Sequence, residues 1–199
     1  MIPVTLAPEP EMFDATVRRP GHAWLAAHKI SKNKKLAPGT ELEPYWRDCL
    51  GELHASYAGV CAYSCVFVER MTGGISTDHY VAKSRRAGLA YEWSNFRLAC
   101  ATMNSRKSDF STILDPIGLA DETFWLELVT GRIYPRPSLA TAARERAQLT
   151  IEDLKLDDDG WRETRARHYE EYRRGEYDEV FLRKRSPFVW YEARRQRAL

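Results

Sequence analysis

The chain has 199 residues, of which 44% are hydrophobic and 29% are charged, and its formal net charge at pH 7 is +2. This composition is typical of a globular chain that can bury a core, and it excludes collagen-like, mucin-like and globally disordered classes. The longest nearly apolar run is too short for a membrane span and the amino-terminal sequence lacks a secretory pattern, so we expect a cytoplasmic protein with no membrane partner.

The first region, residues 1–58, is predicted to be helical and to contain one basic loop. The periodicity of apolar residues predicts helices over 9–18, 20–29 and 43–57. Pro20 and Gly21 separate the first two of these helices. The lysine-rich stretch 31–41, which contains a Pro-Gly pair, is predicted to be a loop.

The second region, residues 59–110, changes character. It begins with a compact cysteine-bearing segment over 59–68. Short strands are predicted over 75–77 and 96–100, and the segment between them is polar and irregular. Two turns of helix are expected over 101–108, so the order in this region is strand, strand, helix.

The third region, residues 111–199, combines a hairpin with helices. Apolar and other residues alternate over 124–134 around a Thr-Gly turn, which predicts a β-hairpin. Helices are predicted over 139–149, 151–156, 161–174 and 187–197. The predicted fold is therefore a helix-rich α+β single domain.

Four cysteines, Cys49, Cys61, Cys65 and Cys100, form no disulfide framework in a chain of this size and expected location. They are either buried thiols or metal ligands.

Two basic blocks could contact the phosphates of a nucleic acid. One lies in the loop and includes Lys34 and Lys35. The other lies towards the end of the chain and includes Arg183, Lys184 and Arg185. A solvated charged face is the alternative interpretation of each block.

An ordered set of residues within 61–109 carries the candidate chemistry. It comprises Cys61-x3-Cys65, Asp78-His79, Lys83-Ser84, Trp93-x-Asn95, Cys100 and Asn104-x2-Lys107. This order resembles the HNH endonuclease family in its cysteine-bearing form, whose ββα-metal unit is a β-hairpin followed by a helix. A looser likeness in 111–199 is to stand-alone HNH nucleases of bacterial antiphage systems of the Septu and retron-linked types.

The resemblance implies a role for each matching side chain in phosphodiester hydrolysis. His79 would be the general base, because a neutral histidine can accept a proton from water near pH 7. Asp78 and Asn104 would hold one divalent metal ion, Mg²⁺ or Mn²⁺, through oxygen atoms. Asn95 would accept a hydrogen bond from the His79 ring and so fix its tautomer.

The resemblance also implies phosphate contacts near the site. Lys83, Arg106 and Lys107 are expected to contact the substrate, with Lys107 on the same helix face as Asn104. DNA is favoured as the substrate by the resemblance, although the site residues by themselves do not distinguish DNA from RNA. The expected function is a metal-dependent endonuclease of antiphage defence.

The cysteine-bearing family often holds a structural zinc ion with four thiolates. Here Met103 stands where the fourth cysteine is expected, which leaves Cys61, Cys65 and Cys100. Structural zinc requires four ligands, so we expect that the zinc is lost and that the thiols pack as small apolar groups. A zinc site built on these three thiols is the alternative.

Two other functions are compatible with the sequence. One is a catalytically silent nucleic-acid-binding module, against which the intact set of Asp78, His79, Asn95 and Asn104 argues. The other is an effector subunit that is active only with a partner, such as the ATPase of a defence system. Copurification with a large ATP-binding protein would favour the effector.

Overall fold

A computed structural model describes all of residues 1–199. It contains seven α-helices and two small antiparallel sheets, which confirms the predicted α+β class. No helix is both long enough and apolar enough to cross a membrane. The chain forms two compact units. The central unit comprises Leu6–Gly59 and Glu69–Ser111, and the carboxy-terminal unit comprises Met1–Thr5, Val60–Val68 and Thr112–Leu199.

The central unit begins with one continuous helical segment. A π-helical stretch over Asp14–Arg18 leads directly into α1, Arg19–Ala27. The predicted break at Pro20 is wrong because proline is tolerated in the first turn of an α-helix, where its missing N–H costs little. Gly21 is explained by packing, since a Cβ there would lie 2.2 Å from Cγ of Tyr91.

The helix predicted over 43–57 is divided into two shorter segments. A 3₁₀ turn spans Tyr45–Arg47, and α2 spans Leu50–Ser56. Trp46 and Leu53, one from each segment, are buried in the core of the central unit. The lysine-rich loop before them contains no helix or strand, as predicted.

A strand pair followed by a helix forms the other part of the central unit. Strand β1, Ile75–His79, is antiparallel to β2, Phe96–Cys100, with His79 opposite Phe96. Helix α3, Ala101–Lys107, begins at the residue after β2. The predicted order of strand, strand and helix is therefore confirmed. Strand β1 runs further than predicted and ends at His79.

Aromatic packing supports the start of β2. The Phe13 ring lies edge-on to Trp93 and Phe96, with centroid distances of 5.5 and 5.6 Å. Each such pair contributes about 0.5–1.5 kcal/mol beyond its buried area. The indole N–H of Trp93 donates to the Ala7 carbonyl at 2.8 Å. These contacts fix the segment before β2, and with it the strand that lies beside β1.

The carboxy-terminal unit contains the second hairpin and four helices. Strands β3, Phe124–Leu126, and β4, Ile133–Pro135, confirm the hairpin predicted there. The helices are α4, Thr141–Asp153; α5, Asp159–Arg173; α6, Glu179–Arg185; and α7, Pro187–Arg195. Helix α4 replaces two shorter predicted helices, and α6 was not predicted.

Buried charges in the carboxy-terminal unit are engaged within the fold. The guanidinium of Arg165 donates to the carbonyls of Gly131 and Leu156 at 2.7 and 2.8 Å. The fully buried carboxylate of Glu192 pairs with Arg195 at 2.8 Å. These groups therefore stabilise the packing of the unit around them.

Candidate functional site

A cleft of 540 Å³ lies in the central unit at the end of β1. Its ionisable and amide-bearing lining residues are Arg47, Asp78, His79, Lys83, Asn104 and Asp109. The predicted base, both predicted metal ligands and one predicted phosphate contact thus line a single cleft.

The strand–strand–helix arrangement explains how these side chains meet. Successive residues on a strand point to opposite faces, so Asp78 and His79 would diverge in a regular strand. The cleft runs along the whole of Ile75–His79, however, so both residues contribute to its lining. Asn104 reaches the same cleft from α3, whose first residue directly follows β2.

The His79 ring is held in one orientation by its neighbours. Its Nε2 lies 2.9 Å from the carbonyl oxygen of Ala90. Because a carbonyl can only accept, Nε2 carries the proton and Nδ1 holds the lone pair. Trp46 and Phe96 pack edge-to-face against the imidazole at 4.8 and 5.2 Å. Nδ1 makes no hydrogen bond and remains able to accept a proton from a molecule in the cleft.

The environment of His79 keeps the ring neutral at pH 7. The pKa of His79 is lowered to about 3, mainly by burial; the bond to the Ala90 carbonyl opposes this shift, and the charges of Lys83 and Lys107 add to it. A histidine of this kind is a weak base in bulk water. Such a weak base can accept a proton efficiently only from a water molecule whose pKa has been lowered, for example by a nearby cation.

The hydrogen bond predicted between Asn95 and the His79 ring is not formed. The Asn95 side-chain oxygen instead accepts from the Val81 N–H at 2.8 Å, and its amide donates to the Val81 and Leu89 carbonyls at 3.0 and 2.9 Å. A carboxamide has both a donor and an acceptor, so it can satisfy both backbone groups of Val81. Asn95 therefore holds the loop that ends at Ala90, whose carbonyl fixes the ring.

Lys107 is not available to contact a substrate, so its predicted phosphate contact is wrong. Its side chain is fully buried, and Nζ donates to the His79 carbonyl at 3.0 Å. The same ammonium lies 3.7 Å from Oδ1 of the buried Asp78 carboxylate. Burial lowers the pKa of Lys107, and the charge of Asp78 opposes that shift. Lys107 thus fixes α3 to the end of β1 from inside the core.

Asn104 and Lys83 have the exposure that a contact with a ligand requires. Asn104 is half-buried in the cleft lining, and its side chain makes no hydrogen bond. Lys83 is exposed, and its Nζ lies 4.5 Å from the centre of the Trp46 ring. Arg106 is half-buried on α3 but is not among the residues that line the cleft.

The remaining predicted phosphate contacts lie away from the lining of the cleft. Lys34 and Lys35 are exposed in the basic loop of the central unit. Arg183 and Lys184 are exposed and Arg185 is half-buried at the end of α6 in the carboxy-terminal unit. The phosphate contacts of these residues stay predictions that rest on their charge alone.

The cleft residues that were not predicted as site residues include Trp46, Arg47 and Asp109. Asp109 lies two residues after the Asn104-x2-Lys107 motif, and this closeness in sequence is a signal that could have placed it at the site. Trp46 and Arg47 belong to a segment far from the motif in sequence. No local pattern could have assigned them to the cleft.

The four cysteines are buried thiols in the structure, and none is in a disulfide. Cys61 and Cys65 belong to the carboxy-terminal unit and Cys100 to the central unit. The structure contains no group of three or more His, Cys, Asp or Glu side chains positioned to hold a metal ion. Both the loss of zinc and the zinc site on these three thiols stay predictions.

Comparison with known proteins adds no family assignment. No protein-family model matches the chain, and no curated protein matches it significantly.

Proposed function

We propose that this chain is a metal-dependent endonuclease of the HNH, or ββα-metal, type that hydrolyses phosphodiester bonds of nucleic acid, with DNA as its substrate. The observation that carries the proposal is the meeting of Asp78, His79 and Asn104 in one cleft at the end of the β1–β2–α3 arrangement. A proton acceptor and two oxygen donors in one cleft fit the chemical requirements of metal-assisted hydrolysis.

His79 is the proton acceptor in the proposed reaction. Its Nε2 is committed to the Ala90 carbonyl, so the lone pair on Nδ1 is the one that can take a proton from water. Burial keeps the ring neutral and ready to accept. The fixed orientation removes the need to reorganise the ring when the proton moves.

The donor set fits a hard divalent cation. Asp78 offers a carboxylate oxygen and Asn104 an amide oxygen, and ions such as Mg²⁺ and Mn²⁺ prefer oxygen ligands while they retain several waters. When bound, such an ion would raise the acidity of water and balance the charge that develops on the phosphate. The low pKa of His79 supports a role for such an ion, because a weak base can deprotonate only a water molecule whose acidity has been raised.

Two buried residues position the reacting groups without touching the substrate. Lys107 bonds to the His79 carbonyl and pairs with Asp78, so it fixes the backbone and the carboxylate together. Asn95 holds the loop whose Ala90 carbonyl orients the imidazole. The proposed roles of both are therefore geometric.

The biological setting is part of the proposal and rests on the looser resemblance of residues 111–199 to antiphage nucleases. In that setting the chain would cut nucleic acid alone or as an effector with an ATPase subunit. Cations of the basic loop, of α3 and of α6 that are not in the cleft lining would add phosphate contacts outside the cleft. Lys34, Lys35, Arg106, Arg183, Lys184 and Arg185 are the candidates.

The test is cleavage of supercoiled plasmid by the purified full chain with Mg²⁺, with Mn²⁺ or with excess chelator. We expect metal-dependent cleavage that falls by about 10²–10⁴-fold in His79→Ala, which is the range for loss of a general base. His168→Ala is the matched control, because His168 is also a buried histidine but does not line the cleft. It should cleave at the wild-type rate per folded molecule.

Each part of the proposal has its own contrary result. Cleavage at an undiminished rate in chelator would exclude the metal. Comparable rates for His79→Ala and the wild type would exclude His79 as the base. A folded wild-type chain that binds DNA but never cuts it, with either metal and with any copurifying ATPase present, would instead indicate a silent binding module.

A further inference from the structure

We propose that Arg47 and Lys83 form a subsite in the cleft for one phosphate group of the nucleic-acid strand. This inference rests on the proposed function and deepens it, because it joins the predicted contact of Lys83 to Arg47, which lies outside the HNH-like motif. The subsite would hold a phosphate next to the bond that is cut.

The two cations reach the cleft from separate parts of the central unit. Arg47 ends the 3₁₀ turn before α2, and Lys83 lies in the loop after β1. The Trp46 ring lies between Lys83 and the reaction centre, since Lys83 Nζ is 4.5 Å from its centroid and the His79 ring packs edge-on against it at 4.8 Å. The Lys83 ammonium is therefore one indole ring away from His79.

Neither cation is paired with a carboxylate in the structure. By contrast Arg18, in the same unit, contacts the carboxylates of Glu9 and Glu92. Burial lowers the pKa of Lys83, the Arg47 charge lowers it further, and Glu41 only partly opposes this. Two like charges that face one cleft, neither paired with a carboxylate, repel each other less when an anion binds between them.

A phosphate diester suits this pair of cations. Arginine offers a planar fork of donors and lysine a compact point charge, and both are common phosphate ligands. The cation–π contact with Trp46 restrains Lys83 and lowers the entropy that is lost on binding. Asp78 and Asp109 give the same cleft negative charge, so an anion there depends on Arg47 and Lys83.

The experiment measures binding without cleavage. The wild-type full chain in excess chelator is titrated with a fluorescent ten-nucleotide oligothymidylate at several salt concentrations. Arg47→Gln and Lys83→Gln should each weaken binding about five- to tenfold, in line with the loss of a charge-assisted phosphate contact. Arg70→Gln removes the same charge from an exposed position outside the cleft lining, and it should change affinity less than twofold.

The double variant tests whether the two cations share one phosphate. Residues that serve one contact are not additive, so the double variant should lose less affinity than the product of the single losses. The slope of log affinity against log salt concentration should be shallower in the double variant than in the wild type by about 0.7, which is the value for one phosphate of a single strand. Single variants that match Arg70→Gln, a fully additive double variant, or no oligothymidylate binding by the wild type would each overturn the subsite.

A second readout separates this proposal from the proposed function. The pKa of Lys83, followed by carbon NMR of its side chain, should rise when oligothymidylate is added, because the bound anion stabilises the ammonium. No rise would overturn the subsite even in a chain that cuts plasmid. A rise together with the affinity losses, in a chain that never cuts, would retain the subsite and reject the nuclease.

Discussion

Two buried histidines, one in each unit, show what distinguishes a site from a core. Burial lowers the pKa of His79 to about 3 and that of His168 to about 4. Nδ1 of His168 is sealed from solvent without a hydrogen-bond partner. Nδ1 of His79 also has no partner, but its ring lines a cleft beside Asp78. A lowered histidine pKa therefore marks a candidate site only where a molecule in a cleft can reach the lone pair of the ring nitrogen.

The buried cations of the two units repeat this contrast. Arg165 uses its donors on the carbonyls of Gly131 and Leu156 and stabilises the carboxy-terminal unit. Lys107 bonds to the carbonyl of His79 and pairs with Asp78, both of which line the cleft. Both cations hold backbone in place, but only Lys107 holds backbone that carries candidate catalytic groups.

The largest expected effect comes from removing these two cations separately. Lys107→Met leaves the buried Asp78 without this ammonium, which should cost on the order of 3 kcal/mol in the free energy of unfolding. It should also lower kcat for plasmid cleavage more than it raises KM, since the reacting groups lose their positions. Urea unfolding and cleavage rates per folded molecule measure the two effects.

Arg165→Met is the matched variant in the carboxy-terminal unit. It leaves the carbonyls of Gly131 and Leu156 unsatisfied and should also destabilise the fold, by about 1–3 kcal/mol for each unpaired group. Its kcat per folded molecule should equal that of the wild type. Equal kcat values for Lys107→Met and Arg165→Met would contradict the positioning role of Lys107.

An intermediate effect is expected on the pH dependence of stability. The folded-state pKa values of His79 and His168 lie below the unfolded value of about 6.5, so the unfolded chain binds protons first as the pH falls. The contribution of the two neutral histidines to the free energy of unfolding is therefore complete above pH 6.5, and it is lost progressively as the pH falls towards 3–4. Urea unfolding at pH 7.5, 6 and 5 should show this loss, at ~1.4 kcal/mol per pH unit for each histidine within that window.

Substitution of either histidine should flatten this pH profile. His79→Gln and His168→Gln should each remove part of the slope below pH 6.5, so the two units are expected to behave alike in stability although they differ in activity. A variant whose unfolding profile stays parallel to that of the wild type would show that its histidine titrates normally in the folded state.

The smallest expected effect comes from removing exposed cations. One pair in the central unit is compared with one pair in the carboxy-terminal unit. Lys34→Gln with Lys35→Gln, and Arg183→Gln with Lys184→Gln, should each reduce oligothymidylate affinity by less than about threefold at moderate salt, because exposed charges are screened. Cleavage kcat should not change. An unchanged salt slope for either pair would favour the alternative interpretation of that block as a solvated face.

Much of the local structure could be predicted because it depends on local spacing. The hairpin over Phe124–Leu126 and Ile133–Pro135 follows from alternation around a turn, and β2 and α3 follow from an apolar run and a helical repeat. The continuous helix through Pro20 could not be predicted from the same rules, since its π-helical start is an irregular geometry with no simple sequence signal.

The sequence by itself determined the order of chemical groups along the chain and, through the strand–strand–helix pattern, that Asp78, His79 and Asn104 lie on neighbouring elements. Only the tertiary structure decided which side chains are accessible and which atoms they meet. It buries Lys107 and pairs Asn95 with Val81. The physical reason is that burial and hydrogen-bond partners are set by packing between segments distant in sequence, which local periodicity does not encode.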